Sequence, residues 1–86
     1  MIRIWAKIIK NGKIIKDLVY ESEKTMVYSQ FIDHLIDICY KLDTPTPILI
    51  KQHIFAYAKY NVVKFLPSDF AETVDFDKLV LENINK

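Results

Sequence analysis

Glycine is nearly missing from this sequence: one residue among 86, at position 12. That alone excludes a phosphate-cradling glycine-rich loop and a Gly-x-Ser-x-Gly nucleophile elbow. Cysteine is as scarce. The lone Cys39 excludes an intramolecular disulfide and fits a reducing, cytoplasmic location. Proline occurs only at 45, 47 and 67, so each instance reads as punctuation. No unbroken apolar stretch reaches the about 7–15 residues of a signal-peptide core or the about 20 of a membrane span. Neither a targeting segment nor membrane contact is expected. A large charge of one sign is missing too, for the net charge is +1. A dedicated nucleic-acid binder carries an obvious excess of Lys and Arg.

What is present suits one small domain over residues 1–86. The chain is 51% hydrophobic and 13% aromatic, enough to build a core without disulfide or metal staples. Its charge is unevenly spread. Residues 1–16 carry Arg3, Lys7, Lys10, Lys13 and Lys16 and no acid, whereas residues 67–82 carry Asp69, Glu72, Asp75, Asp77 and Glu82 against Lys78 alone.

The single glycine lies in Asn11-Gly12 between two β-branched runs, the strongest local signal for a hairpin with a type I′ turn. An unbroken two-residue hairpin opposes Lys10 to Lys13, Ile8 to Ile15, Lys7 to Lys16, Trp5 to Leu18 and Arg3 to Tyr20. One face then reads as core, and the other carries Arg3, Trp5, Lys7, Lys16, Leu18 and Tyr20. A helix follows, with Ser22 or Thr25 as N-cap and Phe31, Leu35, Ile38 and Leu42 at helical spacing. Gln30, Asp33, His34, Asp37 and Lys41 take its wet side. Thr44-Pro45-Thr46-Pro47 ends it. Residues 48–60 fit a second helix with Thr46 as N-cap and Pro47 at its first position, although their alternation also fits a strand. Val62–Phe65 and residues 78–84 read as strands, and residues 67–72 as a turn with Asp69 and Glu72 at capping-box spacing.

The opening hairpin, the Thr44-Pro45-Thr46-Pro47 break, and Phe65-Leu66-Pro67-Ser68-Asp69-Phe70 with Val74-Asp75-Phe76-Asp77 resemble a family of short uncharacterised proteins. These come from clostridia and related Gram-positive bacteria, and the resemblance spans nearly the whole chain. It implies a single intact domain and no assigned activity.

Four groups of residues could carry chemistry, and each has a plainer explanation. Cations interleaved with aromatics on the hairpin are what single-stranded nucleic acid needs, with Lys and Arg on phosphates and Trp and Tyr under bases. The plainer account lets an acid from a neighbouring strand, Glu82, separate Lys7 from Lys16. Asp33, His34, Asp37 and His53 offer metal-ligand types without metal-ligand spacing, and read as a solvated helix face. Asp69 to Asp77 is acidic, but Phe70 and Phe76 interrupt it and no glycine permits a calcium loop. Those phenylalanines would anchor the loop while its acids meet water or the basic hairpin. Cys39 lies on the apolar edge of its helix, where a thiol packs as a small hydrophobe.

The expectation is therefore an α+β fold with a mainly antiparallel sheet of about four strands, in the order ββααββ, with two helices on one face. No cofactor and no catalysis are expected. The open face, with Arg3, Trp5, Lys7, Lys16, Leu18 and Tyr20, is the candidate binding face for a homodimer or protein partner. Single-stranded nucleic acid is the alternative ligand.

Overall fold

A computed structural model describes residues 1–85. The chain forms β1 (Ile2–Lys10), β2 (Lys13–Ser22), α1 (Phe31–Leu42), α2 (Lys51–Tyr60), β3 (Val62–Phe65) and β4 (Lys78–Asn83). Short 3₁₀ turns at Tyr28–Gln30 and Pro67–Asp69 precede α1 and follow β3. The four strands make one antiparallel sheet in the spatial order β2-β1-β4-β3. The fold is α+β, as its order of elements implies.

Asn11 and Gly12 hold φ of 54° and 74°, the two positive values a type I′ turn requires. Lys10 faces Lys13 and Ile9 faces Ile14, as an unbroken hairpin demands. Beyond them the expected register fails. The pairing shifts at Ile8/Ile9, so that Ile8 faces Lys16, Lys7 faces Asp17, Trp5 faces Val19, Ile4 faces Tyr20 and Arg3 faces Glu21. Ile15 is the extra residue of a β-bulge. Because strand side chains alternate with a period of two, one inserted residue moves every later β2 side chain to the opposite face.

That shift makes the core continuous. Ile2, Ile4, Ala6 and Ile8 are buried, with Tyr20, Leu79 and Leu81 as cross-strand neighbours, and Val63 and Phe65 of β3 extend the buried row beyond Leu81 and Leu79. Against this row pack Phe31, Leu35, Ile38, Cys39 and Leu42 of α1 and Tyr57 of α2. Phe31 and Tyr57 meet edge to face at 5.0 Å, the aromatic contact that ties the two helices.

Three boundaries differ from expectation, because strand pairing, a contact with a distant turn, or a local side-chain cap takes the residues instead. Ser22 is no N-cap, since β2 runs on to pair Ser22 with Ile2, and neither Ser22 nor Thr25 caps α1. Residues 46–50 do not open α2. Ile48 N–H donates to Asp69 O at 2.7 Å, and Ile50 N–H donates to His53 Nδ1 at 3.1 Å, so extended chain persists to Ile50. Residues 51–60 are then helix, which decides against the strand. In the turn after β3, Asp69 Oδ2 accepts from Leu66 N–H at 2.8 Å, so the reciprocal cap is Leu66 with Asp69 and not Asp69 with Glu72.

The helix ends follow backbone chemistry. Asp43 (φ 55°) and Asn61 (φ 60°) take the left-handed conformation that closes α1 and α2. Asp43 precedes Thr44-Pro45, where the helix was expected to stop. No helix is long and apolar enough to cross a membrane among the described residues.

Candidate functional site

The register decides which side chains share the hairpin surface. Arg3, Trp5, Lys7 and Ile9 form the odd-numbered row of β1, and this row stands among Asp17, Val19 and Glu21 of β2 and Lys78, Val80 and Glu82 of β4. Of the six residues expected together, Arg3, Trp5 and Lys7 do share this row. Lys16, Leu18 and Tyr20 do not. The bulge at Ile15 puts them opposite Ile8, Ala6 and Ile4, in the buried row.

Tyr20 is consequently 7% exposed rather than a surface platform. Its hydroxyl lies 3.0 Å from His34 Nδ1, and the two rings meet edge to face at 5.8 Å. His34, expected on the wet side of α1, is buried by this contact. Burial raises the Tyr20 phenol above its ordinary pKa, and the charge and hydrogen bond of Asp37 raise it further. Lys41 completes the cluster, 5.2 Å from the Tyr20 ring centroid and 3.6 Å from Asp37. Lys16 reaches Leu42 O at 3.2 Å, adding a cation at the negative end of α1.

The cations that remain on the odd-numbered row have acid partners within the chain. Lys7 Nζ lies 3.1 Å from Glu82 Oε1 and 3.9 Å from the Trp5 ring centroid. Arg3 Nε donates to Glu21 Oε2 at 3.1 Å. Trp5 Nε1 donates to Asp17 Oδ2 at 2.8 Å. The repulsion expected between Lys7 and Lys16 never arises, because the bulge separates them and Asp17 stands opposite Lys7.

The acidic segment serves the same hairpin. Lys10 Nζ lies 3.4 Å from Asp75, Asn11 N–H donates to Asp77 Oδ2 at 2.8 Å, and Asp77 N–H donates to Ile9 O at 2.8 Å. Phe70 and Phe76 are buried and meet edge to face at 5.5 Å, anchoring the loop from below. No group of three or more metal-ligating side chains converges among the described residues. His53 packs on Phe65 at 4.5 Å and faces Asp69 at 3.6 Å, far from the role of a surface ligand.

Two surface depressions flank the end of α1 and share Asp43, Thr44 and Pro45. The larger, about 660 Å³, is bordered by Cys39 and Glu72; the smaller, about 260 Å³, reaches Ile15, Lys16 and Phe76. Burial pushes the Cys39 thiol up to about 11 against a weaker opposing hydrogen bond from Thr46, so this residue is a poor nucleophile. A third cavity of about 140 Å³ lies under Met1 and Met26 with Tyr57 and Tyr28 at its wall. Burial, then the nearby Tyr28, push the Tyr57 phenol up to about 12.

Ile14, Ile15 and Val19 of β2 stay outside the core, 48%, 50% and 48% exposed; Ile14 and Val19 stand opposite Ile9 and Trp5, whereas Ile15 borders the smaller depression beside Lys16. The sequence could not reveal Val19 on this side, because only the bulge brings it there.

Fold and surface together define a small α+β protein with a long N-terminal hairpin whose outer strand, β2, lies at the edge of the sheet. No protein-family profile, no curated protein and no solved structure matches the chain.

Proposed function

We propose that this chain is a non-catalytic interaction module that binds another polypeptide, either a second copy or a different protein, through its N-terminal hairpin. In this reading both helices lie over the row of Ile4 and Ile8. The side of the sheet with Arg3, Trp5 and Lys7 is then left to a partner. The observation that supports it most is the half-exposure of Ile14 and Val19 on the outermost strand, on the same side as Arg3, Trp5 and Lys7. Clustered exposed apolar side chains on one surface mark interfaces more often than isolated ones do. The proposed kinship with short Gram-positive proteins agrees with one domain over residues 1–86 and adds no chemistry.

Single-stranded nucleic acid draws less support as the ligand. Phosphates would have to displace Glu21 from Arg3 and Glu82 from Lys7, and Tyr20 is not available for stacking.

Light scattering across a wide concentration range, paired with acrylamide quenching of Trp5, tests the proposal. Concentration-dependent association that protects Trp5 supports self-association. Binding to a nucleic acid that collapses with added salt supports the alternative, because phosphate contacts respond steeply to salt. A monomer that recruits neither protein nor nucleic acid at the hairpin overturns both.

A further inference from the structure

Resting on that reading and narrowing it, we infer that the free edge of β2 is a strand-addition site for an extended segment carrying two cations around one apolar residue.

The direction of the backbone groups comes first. Arg3 O accepts from Ile84 N–H at 3.0 Å and Ile9 O accepts from Asp77 N–H at 2.8 Å, so the odd-numbered residues of β1 turn their main chain toward β4. Hydrogen bonding in an antiparallel ladder alternates residue by residue. Ile4, Ala6 and Ile8 therefore turn toward β2, and their partners Tyr20, Leu18 and Lys16 turn back toward β1. Asp17, Val19 and Glu21 are left pointing their N–H and C=O groups at the open edge. Among the described residues no other segment bonds to them there. Three alternate residues about 6.8 Å apart form the docking ladder that an added strand uses. The opposite edge, β3, is only four residues long and lies beside α2.

The side chains choose the occupant. Asp17 and Glu21 are exposed and flank the half-exposed Val19. Each carboxylate uses one oxygen inward, Asp17 Oδ2 for Trp5 and Glu21 Oε2 for Arg3, leaving the other oxygen free. β1 already shows what fits these three residues, since it sets Lys7, Trp5 and Arg3 opposite Asp17, Val19 and Glu21. A strand on the outer edge meets the same three side chains from the other side and needs the same order: cation, apolar, cation at alternate positions. A second copy of β2 brings its own Asp17 and Glu21 beside these acids, and facing like charges destabilise a strand pair. The occupant is therefore a basic-apolar-basic segment of a different protein.

The probe is a peptide containing Lys-Thr-Val-Thr-Lys, with Glu-Thr-Val-Thr-Glu as its counterpart, titrated into the full chain. Trp5 emission and the backbone amide shifts of Asp17, Val19 and Glu21 report the contact. The expected result is saturable binding of the basic peptide, focused on those amides, at least about ten-fold tighter than the acidic peptide at low salt. Val19→Pro removes an outward N–H and should abolish binding. Should that variant not fold, Asp17→Lys with Glu21→Lys serves instead and should reverse the preference between the peptides. Equal binding of both peptides, shifts confined to other surfaces, or no saturation at millimolar peptide overturns the inference. If the protein self-associates through the hairpin yet ignores the basic peptide, the interaction module stands and the strand-addition site falls.

Discussion

Lys7 and Glu82, 75 residues apart in sequence, meet at 3.1 Å across β1 and β4, with the Lys7 side chain only 13% exposed. Lys7 is thus neutralised by an acid of the last strand, whereas Arg3 finds Glu21 within the hairpin itself.

The contact should matter for stability. Glu82→Gln leaves a mostly buried ammonium with a weaker partner and is expected to destabilise by about 1–3 kcal/mol. Arg3→Ala, at a pair exposed on both sides, should change stability by less than about 1 kcal/mol. Urea unfolding of both variants compares them, and equal losses would show that the Lys7 pair is not special.

The bulge invites a deletion experiment. Removing Ile15 leaves every other pair of the hairpin in place, because Ile15 is the unmatched residue. The expected loss is about 1 kcal/mol, with native far-ultraviolet dichroism retained. Deleting Val19 instead moves Tyr20 out of line with Ile4 and should prevent folding. A collapse of the Ile15 deletion would mean that the bulge's twist, and not only its register, is required.

Gly12→Ala should destabilise by about 1 kcal/mol although no atom lies within 4 Å of the added methyl. The loss arises from the backbone at φ 74° and not from a clash. Asn11→Gly, at the other positive φ, should be nearly neutral. Thermal melts distinguish the two.

Alkaline pH should unfold the protein early. Cys39 rises from 9.0 to about 11 and Tyr57 from 10.0 to about 12, in both cases first by burial. Folding thus favours the protonated groups. Their contribution is complete below the unfolded values and is lost as pH climbs from 9 through 12. Stability measured across that window should fall, and Tyr57→Phe should flatten the upper part. The Cys39 thiol should resist a disulfide reagent at pH 8 until urea unfolds the chain. Rapid labelling of the native protein would contradict its burial.

The turn at Asn11-Gly12, the apolar stripe from Phe31 to Leu42 and the short strands at 62–65 and 78–83 were all legible, because each rests on neighbours within a few residues. Residues 48–60 fitted a helix or a strand, and the start of the helix at 51–60 was not legible, because Asp69 takes the Ile48 N–H from a distant turn and the His53 ring takes the Ile50 N–H. The shared row of Arg3, Trp5 and Lys7 was legible from strand alternation, whereas Lys16, Leu18 and Tyr20 were assigned to it by assuming an unbroken ladder.

The sequence by itself determined the α+β class, the hairpin, the order of elements and the anchoring of the acidic loop by Phe70 and Phe76. These follow from local periodicity, turn chemistry and burial. Tertiary structure alone decided the bulge at Ile15, and through it which β2 side chains enter the core. The reason is physical. Ile14, Ile15, Leu18 and Val19 are all apolar enough for either face, so the local pattern is degenerate. It is resolved only when Tyr20 finds His34, Lys16 finds the end of α1, and Lys7 finds Glu82.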